Sequence, residues 1–283
     1  MSAPFQRISA GRAVLWVDPE IALPVERLGL LQPGALERVL PAPDLGQHGR
    51  AGTSVLSLPG RSERLHLRPL RHGGWLAPLW RGGVAGLARA RAECESTAVL
   101  RRAGAPVPAP ALVVGHRRGL LWQAALGTLY EEDTENGADV AAHFATRGEP
   151  GHSQSIAAAR AAARAIRRFH DAGGQHADLH IANLLVREKP GQRDRYEVLI
   201  VDLDRARHGA VPSPERRMHE LMRLYRSLLK RSLLPGLGTR CVAAFFAQYT
   251  EGERELRSAL LRHLPREQDR ITRHAALWRW GPR

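Results

Sequence analysis

The order of apolar and polar positions predicts strands in the first third of the chain and helices in its second half. From Gln47, short alternating apolar runs are separated by turns that contain Gly and Pro, a pattern typical of strands. Helical spacing of apolar residues predicts one helix over residues 85–103, a second over residues 155–170, and helices from Pro214 onward. Strands followed by helices indicate an α+β fold with two parts.

The same pattern divides the chain into three segments. Residues 1–44 are interrupted by prolines, and we interpret them as an N-terminal extension. Residues 45–122 hold most of the predicted strands, and residues 123–283 hold the remaining strands and most of the helices. Two apolar stripes at helical spacing are predicted to lie in the core: Leu221, Leu224, Tyr225 and Leu228, and Val242, Phe245, Phe246 and Tyr249.

The composition, 43% hydrophobic and 25% charged residues, is that of a globular protein. No run of 18 apolar residues occurs, and the first residues lack the basic start and apolar stretch of a secretory leader. The two cysteines, Cys94 and Cys241, are too few for a disulfide framework or a four-cysteine metal site. We therefore expect a cytoplasmic chain.

The net charge of +14 indicates an anionic partner. Only two of the 42 basic residues are lysines, Lys189 and Lys230, and arginine binds phosphate and carboxylate groups through a planar fork of donors. Nucleic acid, phospholipid headgroups and phosphorylated sugars are the candidate classes. Aromatic residues make up 5% of the chain and do not cluster with basic residues, so we expect no specific nucleic-acid partner.

A group of polar residues in the middle of the chain has the spacing of a phosphotransferase site. His176, Asp178 and Asn183 form an H-x-D-x4-N pattern, three apolar residues follow, and a later apolar strand ends at Asp202. A carboxylate can accept the proton of an attacking hydroxyl, and an amide oxygen with a second carboxylate can hold magnesium on nucleotide phosphates. This is the arrangement of the catalytic and metal-binding loops of kinases.

The segments HADLHIANLLV and VDLDRAR resemble the lipopolysaccharide core kinases, a family of bacterial protein-kinase-like enzymes, and the resemblance is closest to the kinases of 3-deoxy-D-manno-octulosonic acid (Kdo). Upstream, HGRAGT, LRPLRHGG and AECESTAVLRRAGAPVPAP resemble the nucleotide loop, an arginine-rich strand and loop, and a helix of that family. The resemblance covers about residues 47–230. It implies a protein-kinase-like fold with a small, β-rich N-lobe (residues 45–122) and a larger helical C-lobe (residues 123–283).

The resemblance also implies roles for the residues of the central pattern, with ATP and Mg²⁺ as cofactors. Asp178 would be the catalytic base, His176 would support its loop, and Asn183 and Asp202 would bind magnesium. The metal loop reads Asp-Leu-Asp rather than Asp-Phe-Gly, so Asp204 is a second acid. Whether Asp204 binds metal or pairs with Arg205 or Arg207 stays open at this point.

Further upstream, the resemblance places nucleotide-binding residues in the strand-rich part. Gly49 and Gly52 would form the glycine loop over the phosphates. Both lysines follow the catalytic loop, so Arg68 would take the place of the phosphate-binding lysine and pair with the helix residue Glu93.

The acceptor implied by the resemblance is the Kdo residue of a lipid A precursor, phosphorylated at the cytoplasmic face of the inner membrane. Basic residues near an anionic membrane surface gain about 1 kcal/mol each, which agrees with a peripheral membrane protein. A core heptose, another small-molecule alcohol and a non-catalytic kinase-like protein remain as alternatives. The positive charge argues against cationic substrates such as aminoglycosides. Candidate acceptor contacts are Arg68, Arg71, His72, Arg81, Arg101, Arg102, Arg117 and Arg118.

Overall fold

The computed structural model describes residues 5–40, 53–70, 83–189, 191, 195–204 and 206–279. The strands within these ranges are β1 (Gln6–Ala10), β2 (Ala13–Val17), β3 (Ser54–Ser57), β4 (Arg64–Leu70), β5 (Pro110–Arg118), β6 (Leu121–Leu129), β7 (Thr134–Asn136), β8 (Gly174–Gln175), β9 (Leu184–Glu188), β10 (Tyr196–Ile200) and β11 (Arg207–His208). The α-helices are α1 (Ala22–Arg27), α2 (Ala35–Val39), α3 (Ala88–Arg102), α4 (Gly137–Thr146), α5 (Glu149–Asp171), α6 (Pro214–Lys230), α7 (Leu234–Leu237), α8 (Thr239–Tyr249) and α9 (Arg254–Arg279).

The chain divides into two compact units, and the first, Met1–Val99 with Pro108–Glu132, is built on one antiparallel sheet. Its strand order is β1-β2-β5-β6-β4-β3. Apolar side chains on the inward positions of β2, β4 and β5 pack with α1 and α2 into a closed core. The helix α3 begins at Ala88 and is followed by Gly104, whose φ of +86° favours glycine.

Residues near the N-terminus contribute directly to this sheet. The strand β2 pairs with β5 over its whole length, from Ala13 opposite His116 to Val17 opposite Leu112. The segment interpreted as an N-terminal extension therefore supplies two of the six strands. The predicted boundary between residues 122 and 123 falls inside β6, because that strand continues to Leu129.

The second unit, Leu100–Val107 with Asp133–Arg283, is mainly helical. The helix α5 packs against α8, α4 and the strand β10, and a three-stranded antiparallel sheet (β10-β9-β7) lies beside it. The first predicted apolar stripe, on α6, lies in the core. In the second stripe, on α8, Tyr249 is fully buried, but the prediction is wrong for Val242, which is 37% exposed because it lies at the solvent edge of the helix face.

A short segment before β5 belongs to this second unit. Leu100, Ala105 and Val107 are buried in its core, and the backbone N–H of Ile200 donates to the carbonyl of Pro106 at 2.8 Å. The chain therefore enters the helical unit once before it has completed the sheet of the first. Among the helices in the described ranges, none is both long and apolar enough to cross a membrane.

Candidate active site

The central motif forms a loop between β8 and β9 that ends in a 3₁₀ turn over Ile181–Asn183. Its entry is fixed by Gly173, which has a φ of +80° and lies so close to the backbone that a Cβ would stand 2.1 Å from the carbonyl oxygen of Gly209. Only glycine fits there without moving the backbone. The sequence Gly173-Gly174 thus ends α5 and directs the chain into the loop.

The start of α4 holds the 3₁₀ turn from one side. Asn136 caps α4 by accepting a hydrogen bond from the N–H of Ala138, and its Nδ2 donates to the carbonyl of Ala182 at 2.9 Å. The next residue, Gly137, packs so tightly that a Cβ would lie 2.6 Å from the carbonyl oxygen of Ile181. An N-cap residue and a glycine therefore fix the turn that carries Asn183.

The helix α6 holds the loop from another side through two polar residues on its buried face. The backbone N–H of His176 donates to Oε2 of Glu220 at 2.9 Å, and the N–H of Ile181 donates to Oγ of Ser227 at 2.9 Å. Glu220 and Ser227 are seven residues apart, which is about two helical turns, so both lie on the same face of α6 and each binds a different part of the loop. The loop is therefore attached to the core at both ends.

The ring of His176 joins the loop to the segment that carries Asp202. Its Nδ1 accepts from the backbone N–H of Asp178 at 3.1 Å, so Nε2 carries the proton and donates to the carbonyl of Val201, 3.1 Å away. Burial lowers the pKa of His176 and keeps the imidazole neutral in this tautomer. The His176 side chain thus fixes the backbone of Asp178 relative to that of Val201, the residue before Asp202.

Asp178 is the accessible member of the group, with 63% of its side chain exposed. Its Oδ1 accepts from Nη2 of Arg223 at 2.8 Å, and Oδ2 lies 3.8 Å from Nε2 of His180. Burial lowers the pKa of His180, more than the carboxylate of Asp178 raises it. A hydroxyl can therefore reach a carboxylate whose orientation is set by an arginine.

Asn183 and Asp202 present oxygen atoms suited to a hard cation. Nδ2 of Asn183 donates to the carbonyl of Asp178 at 3.0 Å, which leaves Oδ1 as the ligand atom of this buried amide. The carbonyl of Asn183 also accepts from the N–H of Val201 at 2.9 Å, so the backbone before Asp202 is bound directly to the loop. Asp202 has a φ of +59°, which few residues other than glycine adopt and which is common at functional sites.

These donors fit magnesium, which binds through one or two protein oxygen ligands and completes its shell with water and phosphate. Across the described part of the chain, no group of three or more His, Cys, Asp and Glu residues forms a metal site.

Behind the loop lies a buried polar network that holds Glu220. Nε2 of His170 donates to Glu220 at 3.2 Å, while Nδ1 of His170 accepts from the hydroxyl of Tyr249 at 2.6 Å. Arg217 donates to the same hydroxyl at 3.4 Å and to Asp171 at 2.7 Å. Burial lowers the pKa of His170 and raises that of Tyr249, so both stay neutral, and Arg216 pairs with the other oxygen of Glu220 at 2.9 Å.

In the sheet-rich unit, the structure brings Arg68 and Glu93 together. Nη2 of Arg68 on β4 lies 2.6 Å from Oε1 of Glu93 on α3, and the Glu93 side chain is only 8% exposed. The pair holds the guanidinium of Arg68 on β4 against the helix α3. Gly49 and Gly52 lie outside the described residues.

The remaining candidate acceptor contacts have varied surroundings. Arg101 donates to the carbonyl of Val107 at 2.6 Å, Arg117 donates to the carbonyl of Gly119, and Arg118 pairs with Glu37. Arg102 is exposed at the end of α3. Arg71, His72 and Arg81 lie outside the described ranges, as does Arg205, one of the two candidate partners of Asp204.

Sequence reasoning missed the residues of α6 that position the loop: Glu220, Arg223 and Ser227. A signal for two of them was present, because Glu220 and Ser227 interrupt an apolar helix face at helical spacing, where a polar residue needs a buried partner. Nothing in the sequence indicates which backbone groups those partners are.

Comparison with known proteins agrees with this geometry. The model of the lipopolysaccharide kinase (Kdo/WaaP) family matches residues 60–249. The 3-deoxy-D-manno-octulosonic acid kinase of Xanthomonas campestris pv. campestris (strain B100) is 36% identical over 193 residues, which are 64% of this chain and 68% of the relative. That of Xylella fastidiosa (strain M23) is 33% identical over 172 residues, 58% of this chain and 61% of the relative.

Among solved structures, WaaP in complex with acyl carrier protein is similar over 93% of this chain and 98% of that chain, with a TM-score of 0.59 and 21% identity. The fold and the site together define a protein-kinase-like phosphotransferase with a hydroxyl acceptor, and the predicted fold class is confirmed. More particularly, the chain belongs to the lipopolysaccharide kinase (Kdo/WaaP) family, which confirms the resemblance seen in the sequence.

Proposed function

We propose that this chain transfers the γ-phosphoryl group of ATP to a hydroxyl of Kdo in a lipid A precursor. The observation that carries the proposal is the loop in which His176 joins the accessible carboxylate of Asp178 to the segment of Asp202. Family membership and the similarity to Kdo kinases support the choice of acceptor.

In the proposed reaction, Asp178 accepts the proton of the acceptor hydroxyl. The oxygen of that hydroxyl forms a bond to the γ-phosphorus while the bond from phosphorus to the β,γ-bridging oxygen breaks, and ADP leaves. Arg223, at 2.8 Å, orients the carboxylate of Asp178, and the hydrogen bond from its N–H to His176 fixes the backbone. The loop thus positions the carboxylate of Asp178, and that carboxylate accepts the proton of the acceptor hydroxyl.

Asn183 and Asp202 are the residues that would hold Mg²⁺, which neutralises charge on the nucleotide phosphates when it is bound. Arg68, held by Glu93, would contact the phosphates in place of a lysine. Gly49 and Gly52 are proposed to cover them with backbone N–H groups.

We further propose that the chain works at the cytoplasmic face of the inner membrane, where a lipid-linked acceptor is anchored. The net charge of +14 supports attraction to an anionic membrane surface. A core heptose and another small-molecule alcohol are the alternative acceptors. The intact group of Asp178, Asn183 and Asp202 argues against a non-catalytic protein.

The test is transfer of labelled γ-phosphate from ATP to a Kdo-bearing lipid A precursor in mixed micelles, with magnesium. The variant Asp178→Ala should lose at least about a thousandfold in turnover and keep its folding, because the side chain is mostly exposed. The control Asp269→Ala removes an exposed carboxylate from α9 and should keep full activity. If label appears only on heptosylated core, the acceptor is a heptose and not Kdo. Full turnover by Asp178→Ala would overturn the mechanism.

A further inference from the structure

A cavity of about 470 Å³ opens on the sheet of the first unit, where the turn between β1 and β2 meets the hairpin of β5 and β6. The backbone N–H of Arg117 donates to the carbonyl of Arg12 at 2.9 Å and joins the two strand ends. Ala13 and Val14, which are buried, and Trp122, which is partly exposed, line the cavity. Part of its lining is therefore apolar.

The polar lining of this cavity is cationic. It consists of Arg7, Ser9, Arg12 and Arg117. Ser9 is opposite Val14, and Val14 is opposite Gly115 on β5. Arg7 and Arg117 are two positions away from Ser9 and Gly115 on their strands, so both side chains point to the same face of the sheet. One face of the sheet thus gathers arginines around a space that a ligand can enter.

None of these three arginines forms an ion pair with a carboxylate of the described residues. The guanidinium carbon of Arg7 lies 5.8 Å from the ring centroid of Trp16, and Nε of Arg117 donates to the carbonyl of Gly119 at 3.2 Å. Both contacts hold a side chain without neutralising it. In sequence, residues 71–82, which precede Val84, contain no Asp or Glu. A bound anion would therefore neutralise positive charge that the described residues leave uncompensated.

The hairpin beside the cavity carries an apolar residue at its tip. Arg118 is opposite Leu121, so Gly119 and Leu120 form a two-residue turn. Gly119 has a φ of +61°, as the first position of a type II′ turn requires. Leu120 is 88% exposed, the highest value among the exposed large hydrophobic residues of the described ranges. A lone exposed leucine is ordinary, but this one directly follows a residue of the cavity lining, so an apolar tip and a cationic cavity share one surface.

We propose that this docking surface, formed by Arg7, Arg12, Arg117 and Leu120, binds the headgroups of an anionic phospholipid membrane. The arginines bind headgroup phosphate at the cavity, and Leu120 enters the boundary between headgroups and acyl chains. This inference rests on the proposed membrane location and names the surface that makes the contact. A soluble phosphate compound or a nucleic acid would use the cations alone, whereas a membrane uses both the cations and the apolar tip.

The experiment measures co-sedimentation of the full chain with vesicles of phosphatidylcholine and phosphatidylglycerol, without ATP or acceptor. Wild type should bind these vesicles and should not bind vesicles of phosphatidylcholine alone. Arg7→Gln/Arg12→Gln should weaken binding about twentyfold, because each arginine near an anionic surface contributes about fivefold. Leu120→Ser should weaken it about tenfold, because the burial of one leucine side chain is lost. The melting temperature reports whether each variant is folded.

Two control variants match these changes at other exposed positions. Arg240→Gln/Arg262→Gln removes the same charge from α8 and α9, and Leu23→Ser removes a leucine of α1 that is 60% exposed. Both should bind vesicles as wild type does. An equal loss in the charge control would show that net charge drives binding, and it would overturn the inference. Unchanged binding of Leu120→Ser would also overturn it, as would release of wild type by inorganic phosphate at constant ionic strength, which assigns the cavity to a free phosphate compound.

Vesicle binding does not involve phosphoryl transfer, so the two proposals fail separately. Loss of the docking surface as an explanation leaves transfer to Kdo untouched. Conversely, if wild type binds anionic vesicles but transfers no phosphate to Kdo, the proposed acceptor is refuted and the docking surface stands.

Discussion

Replacing His176 with phenylalanine tests whether one buried imidazole couples the two halves of the active site. The change keeps an aromatic ring beside Phe169, whose ring centroid is 6.3 Å away, and removes both ring nitrogens. The N–H of Asp178 then loses its acceptor and the carbonyl of Val201 loses its donor. Each loss costs about 1–2 kcal/mol when the partner stays buried, so we expect a destabilisation of about 2–4 kcal/mol.

The same change should lower kcat by about ten- to a hundredfold, because small displacements of Asp178 or Asp202 misalign the reacting groups. Urea unfolding gives the stability, and phosphoryl transfer at saturating ATP and acceptor gives kcat. The control His143→Phe makes the same substitution at an exposed position on α4 and should change stability by less than about 0.5 kcal/mol. A His176→Phe enzyme that is destabilised but keeps wild-type kcat would refute the coupling.

Two further predictions concern Glu93 and the dependence of stability on pH. Glu93→Gln removes the charge that fixes Arg68, so we expect KM for ATP to rise about tenfold. The rise in melting temperature caused by ATP with magnesium should also become smaller. An unchanged KM for ATP would contradict a role of the Arg68–Glu93 pair in phosphate binding. Burial lowers the pKa of His170 and His176, so below pH 6.5 the unfolded chain binds protons that the folded chain does not, and stability falls as the pH falls. The slope reaches at most about 1.4 kcal/mol per pH unit for each histidine. Urea unfolding between pH 7.5 and 5.5 should show this loss, with a smaller slope in His176→Phe, and a flat profile would contradict it.

Much of the fold could be predicted because the relevant signals are local. The long helix α5 follows from apolar spacing over 155–170, and glycines end both α5 and α3. The residues of the central motif could be found because they lie in one short loop, where their spacing in the sequence determines their spacing in the structure. The pairing of Arg68 with Glu93 was predicted from family resemblance, and periodicity alone does not indicate it.

Features that depend on distant contacts could not be predicted. The strand β1 is exposed on most positions and short, so its sequence lacks strong alternation, and only its pairing with β2 makes it part of the sheet. Arg223 looks like any surface arginine of an amphipathic helix, and its role follows only from where α6 packs. The exposed position of Val242 likewise depends on which helices cover α8.

The segment of residues 100–107 has a consequence for how the chain is made. During synthesis it leaves the ribosome well before its partner strand, since Ile200 follows Pro106 by 94 residues. At a synthesis rate of about 5–20 residues per second, this segment is made roughly 5–20 s before β10. A fragment that begins at Asp133 would lack Leu100, Ala105 and Val107, so the helical unit is not a contiguous piece of chain that can be cut out and expressed by itself.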